Sequence, residues 1–193
     1  MRAKLIRKSA AFALCTVVAA CESHNAMPSE PLTAASVVSS VAPTCRGMVA
    51  TIYPGAPSLP AGATITPLGG GGYAIGGTSG NDVIVGGPGD DRVIARQGDD
   101  VICTLTGDDY VNAGGGNDLI EGGPGDDKLD GDPGNDDIEG GLGADLLYGA
   151  LGNDTMRGGP GTDLLIGGPD VDLANGGAGA DACDSEAEVN CET

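Results

Sequence analysis

Aspartate recurs at every ninth position through much of this chain: Asp82, Asp91, Asp100, Asp109, Asp118, Asp127, Asp136, Asp145, Asp154, Asp163, Asp172 and Asp181. Carboxylates are hard oxygen donors, and a regular series of them suits hard cations better than soft ones. Acid–base or nucleophilic catalysis would need other partners. The only histidine, His24, lies far upstream in a polar stretch, so no Ser-His or Cys-His arrangement can form within the series. Acid pairs such as Glu121 with Asp130 are inevitable in so acidic a segment. The residues therefore point away from an enzyme.

The aspartates belong to a nonapeptide written twelve times without a gap over residues 77–184. Clear copies read GGPGDDRVI (Gly86–Ile94), GGPGDDKLD (Gly122–Asp130) and GGPGTDLLI (Gly158–Ile166). In rows of nine, the sixth column is always Asp and the fourth is Gly except at Asp170. The eighth column is apolar: Ile84, Val93, Ile102, Val111, Ile120, Leu129, Ile138, Leu147, Met156, Leu165, Ala174 and Cys183. The first six residues of a row suit a tight turn, because Gly accepts positive φ and close backbone approach. Asn or Asp in the fifth column, as at Asn81, Asp90 or Asn117, tolerates left-handed backbone. The last three residues suit a short strand whose middle side chain faces inward and whose neighbours face outward. One row cannot bury one side chain, but two rows close a coil of two facing strands. The expected fold is all-β: a right-handed parallel β-roll of about six two-strand coils with short N- and C-terminal caps.

Stacking places alternate rows on the same edge, so carboxylates line up at about 4.8 Å spacing and need cations between them. Oxygen ligands without Cys or His favour Ca²⁺ over Zn²⁺. Twelve turns on two edges make ten stacked pairs, which limits the expected ions to about ten. The nonapeptide resembles the hemolysin-type (RTX) calcium-binding repeat, over residues 77–184. The resemblance implies a β-roll with Ca²⁺ held by the sixth-column aspartates and loop carbonyls. The beginning AIGGTSGNDVIVGGPGDD and the ending GADACDSEAEVNCE are also similar to small exported bacterial calcium-binding proteins built from such repeats. Departures from the pattern put some sites in question. Rows 3 and 4 open with Ala95-Arg96 and Thr104-Leu105, so the turns of Asp100 and Asp109 must house larger side chains. Row 11 has Asp170 and Val171, and row 12 has Ala180, which weakens the expectation for Asp172 and Asp181.

Around the repeats, residues 1–20 read as a targeting segment: basic MRAKLIRK, then an apolar run too short to be a good membrane span. It ends in Val18-Ala19-Ala20-Cys21, which resembles a bacterial lipobox and implies lipidation of Cys21. Cleavage after Ala20 by an ordinary signal peptidase is the alternative, and both routes export the protein. Residues 21–44 read as a flexible tether, 45–76 as an N-terminal leader and cap, and 185–193 as a C-terminal tail. Leu68–Gly76 is a degenerate row with Tyr73 in the Asp column. Beyond position 20, five basic residues face 28 acidic ones, a net charge of −23. Such a chain repels nucleic acid and anionic surfaces and attracts cations.

Four cysteines remain: Cys45, Cys103, Cys183 and Cys191. An even count in an exported chain suggests two disulfides, with three possible pairings. We expect Cys183–Cys191, which pins the tail, and Cys45–Cys103, which lays the leader over the outward residues Val83, Val85, Val101 and Leu119. On the other sheet, Leu146, Tyr148, Leu164 and Ile166 should form an apolar patch with nothing to cover it, a candidate contact for envelope, glycan or protein. The expected function is a non-catalytic calcium-binding surface lipoprotein, cell-surface or outer-membrane and touching the membrane only through its lipid, or otherwise extracellular. The alternative is an adhesin or polysaccharide-binding module with the roll as scaffold.

Overall fold

A computed structural model describes residues 44–56 and 58–191. The expected signal segment, Cys21 and almost all of the tether lie outside the described residues. Two sheets face each other, parallel throughout except that the edge strand Thr64–Pro67 pairs antiparallel with Tyr73–Gly76. One runs in the order Thr64–Pro67, Tyr73–Gly76, Arg92–Gln97, Tyr110–Gly115, Lys128–Asp130, Leu146–Tyr148, Leu164–Ile166 and Ala182–Asp184. The other runs Val83–Val85, Val101–Cys103, Leu119–Pro124, Asp137–Leu142, Thr155–Gly161, Leu173–Gly179 and Ala187–Val189. Strands of the repeats pair with a constant offset: Ile84 with Ile102, Ile102 with Ile120, Val111 with Leu129, and Leu147 with Leu165. The fold is thus a parallel β-solenoid of about six coils.

Why these residues stack is visible in the eighth column. Its members from Ile84 to Ala174 are fully buried, while Cys183 at the last coil is partly so. Each repeat strand contributes its eighth-column side chain, and Ala95 and Ala113 join the same cluster, so the core is chiefly a ladder of single apolar residues between two sheets. Two rungs come from outside the repeats: Ile75 pairs with Val93, and Ile52 bridges to Ile84. Ile52 was not foreseen, because Pro54, Pro57 and Pro60 mask any period in the leader. Several strands are also longer than the three residues expected. Pairing resumes in the turns, as at Gly123 with Gly141 and Pro124 with Leu142, because close stacking lets turn amides bond turn carbonyls. The Gly125 amide donates to the Leu142 carbonyl in this way at 2.8 Å.

Only the first part of the leader lies on the outer face of the seven-stranded sheet; the rest supplies the core rungs Ile52 and Ile75 and two strands of the other sheet. The hairpin Thr44–Cys45/Met48–Val49 is tied by the Cys45–Cys103 disulfide, with Cα atoms 5.7 Å apart. Cys45, Ala50, Val85 and Cys103 are buried together, with Tyr53, Val83 and Val101 against them. Leu119 stays half-buried beyond this cluster. Arg46 extends the clamp to two further coils, reaching Glu121 at 3.1 Å and Glu139 at 2.9 Å. At the other end, Cys183 is bonded to Cys191. The eight-stranded sheet carries a different face: Tyr110 packs between Arg92 (4.5 Å) and Lys128 (5.7 Å), and Lys128 also reaches Tyr148 at 5.5 Å. Leu146 pairs with Leu164 and Tyr148 with Ile166, and Leu164 is 40% exposed.

Truncating one core rung should open a cavity that the stacked main chain cannot close. Leu147→Ala is expected to destabilise the roll by about 2–5 kcal/mol. Urea unfolding in saturating Ca²⁺ measures it; a change below about 0.5 kcal/mol would contradict a close-packed ladder.

Candidate metal centre

Every sixth-column aspartate is buried, none more than 4% exposed. Their order comes from main-chain hydrogen bonds between coils. The amide of each aspartate donates to Oδ1 of the aspartate one coil later. On one edge Asp82 donates to Asp100 (2.7 Å), Asp100 to Asp118 (2.7 Å), Asp118 to Asp136 (2.7 Å) and Asp136 to Asp154 (2.8 Å). On the other, Asp91 donates to Asp109 (2.7 Å), Asp109 to Asp127 (2.9 Å), Asp127 to Asp145 (2.9 Å) and Asp145 to Asp163 (2.9 Å). The ladders continue through Asp172 and Asp181, at 2.9 and 3.0 Å, despite the irregular turns of rows 11 and 12. Tyr73, in the Asp column of the degenerate row, starts one ladder by donating its amide to Asp91. All twelve sequence-predicted aspartates are therefore brought into two columns.

The second carboxylate oxygen behaves differently. In Asp100, Asp109, Asp118, Asp127, Asp136, Asp145, Asp154, Asp163, Asp172 and Asp181, Oδ2 is buried and has no hydrogen-bond partner. Asp82 and Asp91 differ: their Oδ2 accepts the second-column amide of the same row, from Thr78 and Gly87, both at 2.7 Å. The backbone explains the split. In rows 3 to 12 the second-column residue has φ between 65° and 123°, whereas Thr78 and Gly87 do not enter that region. Six of those ten residues are glycine; Arg96, Leu105, Asp132 and Ala150 adopt the same conformation with a side chain. Holding a non-glycine residue there costs about 1–3 kcal/mol. The Arg96 guanidinium offsets part of this by donating to the carbonyls of Gly62 and Gly77.

The free oxygen faces a small space beside the first-column residue. A Cβ on Gly158 would fall on Asp163 Oδ2 and 2.6 Å from the Gly176 carbonyl oxygen, one coil on. Gly122 stands in the same relation to Asp127 and the Gly140 carbonyl, and Gly149 to Asp154 and the Gly167 carbonyl. Glycine is thus required by a carboxylate and a carbonyl that converge where a side chain would be. Three rows break this rule. Ala95, Thr104 and Ala113, all fully buried, carry a Cβ in the column that is glycine in the other rows, and the Thr104 hydroxyl donates to the Gly122 carbonyl at 3.0 Å. Ala113 alone of the three is followed by the usual second-column glycine, Gly114.

Fifth-column residues do more than tolerate tight turns. Asp99 Oδ1 accepts the amide of Asn117 (2.9 Å), Asn117 that of Asn135 (2.9 Å), and Asn135 that of Asn153 (2.8 Å). A matching series runs through Asp90, Asp108 and Asp126. These ladders accept from the following coil, opposite in sense to the sixth-column ones. The nine-residue repeat of Asn or Asp was the signal for them, but their partners lie a full coil away.

Electrostatics make the aspartate columns untenable alone. Burial pushes the carboxyls of Asp100, Asp127 and Asp136 up to about 7 and those of Asp118 and Asp145 up to about 6. Neighbouring carboxylates add to the rise, and the inter-coil amide bonds oppose it. Asp91, Asp109, Asp154 and Asp163 are raised for the same leading reason. Among the described residues no three Asp, Glu, His or Cys side chains converge on one point. A cation here would take one carboxylate with main-chain carbonyls, a hard all-oxygen donor set that fits Ca²⁺ and not Zn²⁺. The family description "RTX calcium-binding nonapeptide repeat (4 copies)" matches residues 76–111, 104–138, 112–147, 130–165 and 148–183. The chain belongs to that family. RTX nonapeptide repeats bind Ca²⁺, and the parallel roll described above is consistent with theirs. Among curated proteins, none matches this chain.

The raised carboxyls fix the sign of a pH effect. Between the ordinary value of 3.8 and about 7, the folded, metal-free roll holds more protons than the unfolded chain. Its stability therefore falls as pH rises through that window. In chelator, β-structure by circular dichroism should increase as pH drops from about 8 to about 5. Protons and Ca²⁺ compete for the same oxygens, so the Ca²⁺ midpoint should move to higher concentration over the same drop. A midpoint independent of pH would show that these carboxylates are not the ligands.

Proposed function

We propose that this chain is a non-catalytic calcium-binding β-roll protein that folds on binding Ca²⁺ outside the cell. The observation that carries the reading is the set of buried, unpartnered Oδ2 atoms along both turn edges. Leaving such groups unpaired is costly, and a divalent cation is the partner that suits their charge and hardness. Asp127, Asp136, Asp145, Asp154 and Asp163 hold the ions between consecutive repeats, with first-column carbonyls of the next coil as co-ligands. Asp100, Asp109 and Asp118 offer the same oxygen in a space narrowed by Ala95, Thr104 and Ala113, and bind more weakly. Asp82 and Asp91, already bonded to amides, serve as the first ladder members.

Export fits this energetics. In a cytosol poor in Ca²⁺ the columns repel and the chain stays unfolded. Outside, sites of about 10⁻⁴–10⁻³ M affinity suffice, and binding and folding become one equilibrium. The lipobox-like Val18-Ala19-Ala20-Cys21 supports a signal peptide over residues 1–20 and a lipid on Cys21, with residues 21–44 as tether to the surface, 45–76 as leader and cap, 77–184 as the roll and 185–193 as tail. Adding millimolar Ca²⁺ should produce a large gain of β-structure, reversed by a chelator. Equal circular dichroism with and without Ca²⁺ would sink the proposal.

A second reading makes the roll a scaffold for adhesion or polysaccharide binding. It is favoured by the adjacent outward pairs Leu146/Leu164 and Tyr148/Ile166 on a face that the leader does not cover. Leu146→Asp/Leu164→Asp should abolish binding to cell envelope or acidic glycans while Ca²⁺-induced folding persists. Unchanged binding would remove this patch from consideration.

A further inference from the structure

The last two rows pose a problem that the repeats do not solve. Asp172 and Asp181 are each 1% exposed and keep an unpartnered Oδ2, yet the residues after Asp184 leave the nonapeptide pattern that surrounds the earlier aspartates. The tail supplies the missing groups in a shortened coil. Ala187–Val189 pairs with Leu173–Asn175 in parallel, Leu173 opposite Ala187, an offset of fourteen residues where the repeats use eighteen. Four residues of turn have been removed, and the same shortened offset places two groups in repeat-like positions.

On one edge Glu186 stands where the next column aspartate would be. Its Oε2 accepts the Asp172 amide at 3.0 Å, the bond that Oδ1 makes in every earlier pair. On the other edge Asn190 provides a carbonyl. A Cβ on Gly176 would lie 2.5 Å from the Asn190 carbonyl oxygen and 2.8 Å from Asp181 Oδ2. Gly158 has the same relation to the Gly176 carbonyl and Asp163. Asn190 is held by its left-handed backbone (φ 53°), by a side-chain bond to Asn175 at 3.0 Å, and by the adjacent Cys191 in the disulfide to Cys183.

We propose that the disulfide-closed tail completes two terminal Ca²⁺ sites, with Glu186 as the acidic ligand beside Asp172 and the Asn190 carbonyl as the ligand beside Asp181. This rests on the calcium reading proposed above and extends it to residues outside the nonapeptide pattern. The tail is then a metal-completing cap, and the Cys183–Cys191 bond holds its ligands in place.

The test counts ions on the full chain by calorimetric titration and by metal content after desalting. Glu186→Gln keeps the shape and the acceptor for the Asp172 amide but loses the charge, so it should bind about one Ca²⁺ fewer while the Ca²⁺-induced β-signal is kept. Cys183→Ser/Cys191→Ser should lose about two. Glu188→Gln, an exposed tail neighbour, should match the wild type. Wild-type stoichiometry in both Glu186→Gln and the double variant overturns the terminal sites alone. Loss of all binding in Glu186→Gln overturns them as well, since it assigns Glu186 a folding role. A wild-type chain that binds no Ca²⁺ overturns the calcium reading and this inference together.

Discussion

The roll depends on a column of buried carboxylates in which one oxygen is bonded and the other is not. The inter-coil amide bond to Oδ1 fixes each aspartate within the stack, so the side chain cannot swing out to water when its charge becomes unfavourable. The second-column residue, turned to positive φ, directs its amide elsewhere and leaves Oδ2 bare. Only a proton or a cation can relieve such a group. Charge state and folded state are therefore linked, and the raised carboxyl values are one expression of that link.

The two ends of the molecule are stabilised by different means. Near the N-terminus, Ile52 and Ile75 extend the core, the Cys45–Cys103 bond and Arg46 bind the leader to several coils, and Asp82 and Asp91 are satisfied by amides. Rows 3 to 5 fill the first-column space with Ala95, Thr104 and Ala113. From row 6 onward that position is always glycine, the covering leader is gone, and the unpartnered oxygens face open cradles. Apolar contacts and a long-range disulfide thus hold one end, while at the other a short disulfide closes the tail and the aspartates are left to oxygen chemistry. A solenoid permits this gradation because each coil touches only its neighbours.

The faces divide in a similar way. Outward Val83, Val85 and Val101 would be a liability in water, and the leader removes them from it. On the opposite sheet the tyrosines are partly screened by Arg92 and Lys128 stacked on their rings, two of the few cations in a strongly acidic chain. Leu164 has no such cover and is 40% exposed, and Ile94, near the other end of that sheet, is 37% exposed.

The sequence by itself determined the period, the inward column from Ile84 to Ala174, the two aspartate edges and the hard-donor chemistry, because each follows from side-chain type at a fixed spacing. Cysteine parity and the outward valines also led to the two disulfides seen here. What only the tertiary structure decided are relations between coils. Oδ1 and Oδ2 are chemically alike until a neighbouring amide takes one of them. Thr78 and Gly87 differ from Ala150 or Gly159 in backbone conformation, not in any residue pattern. Asp172 and Asp181, doubtful from their irregular rows, sit in the ladders because the main chain one coil earlier bonds them. Ile52 and Glu186 fall outside the nine-residue frame, so no period could reveal them; they were placed by a sheet edge in need of another strand and a carboxylate ladder in need of another rung.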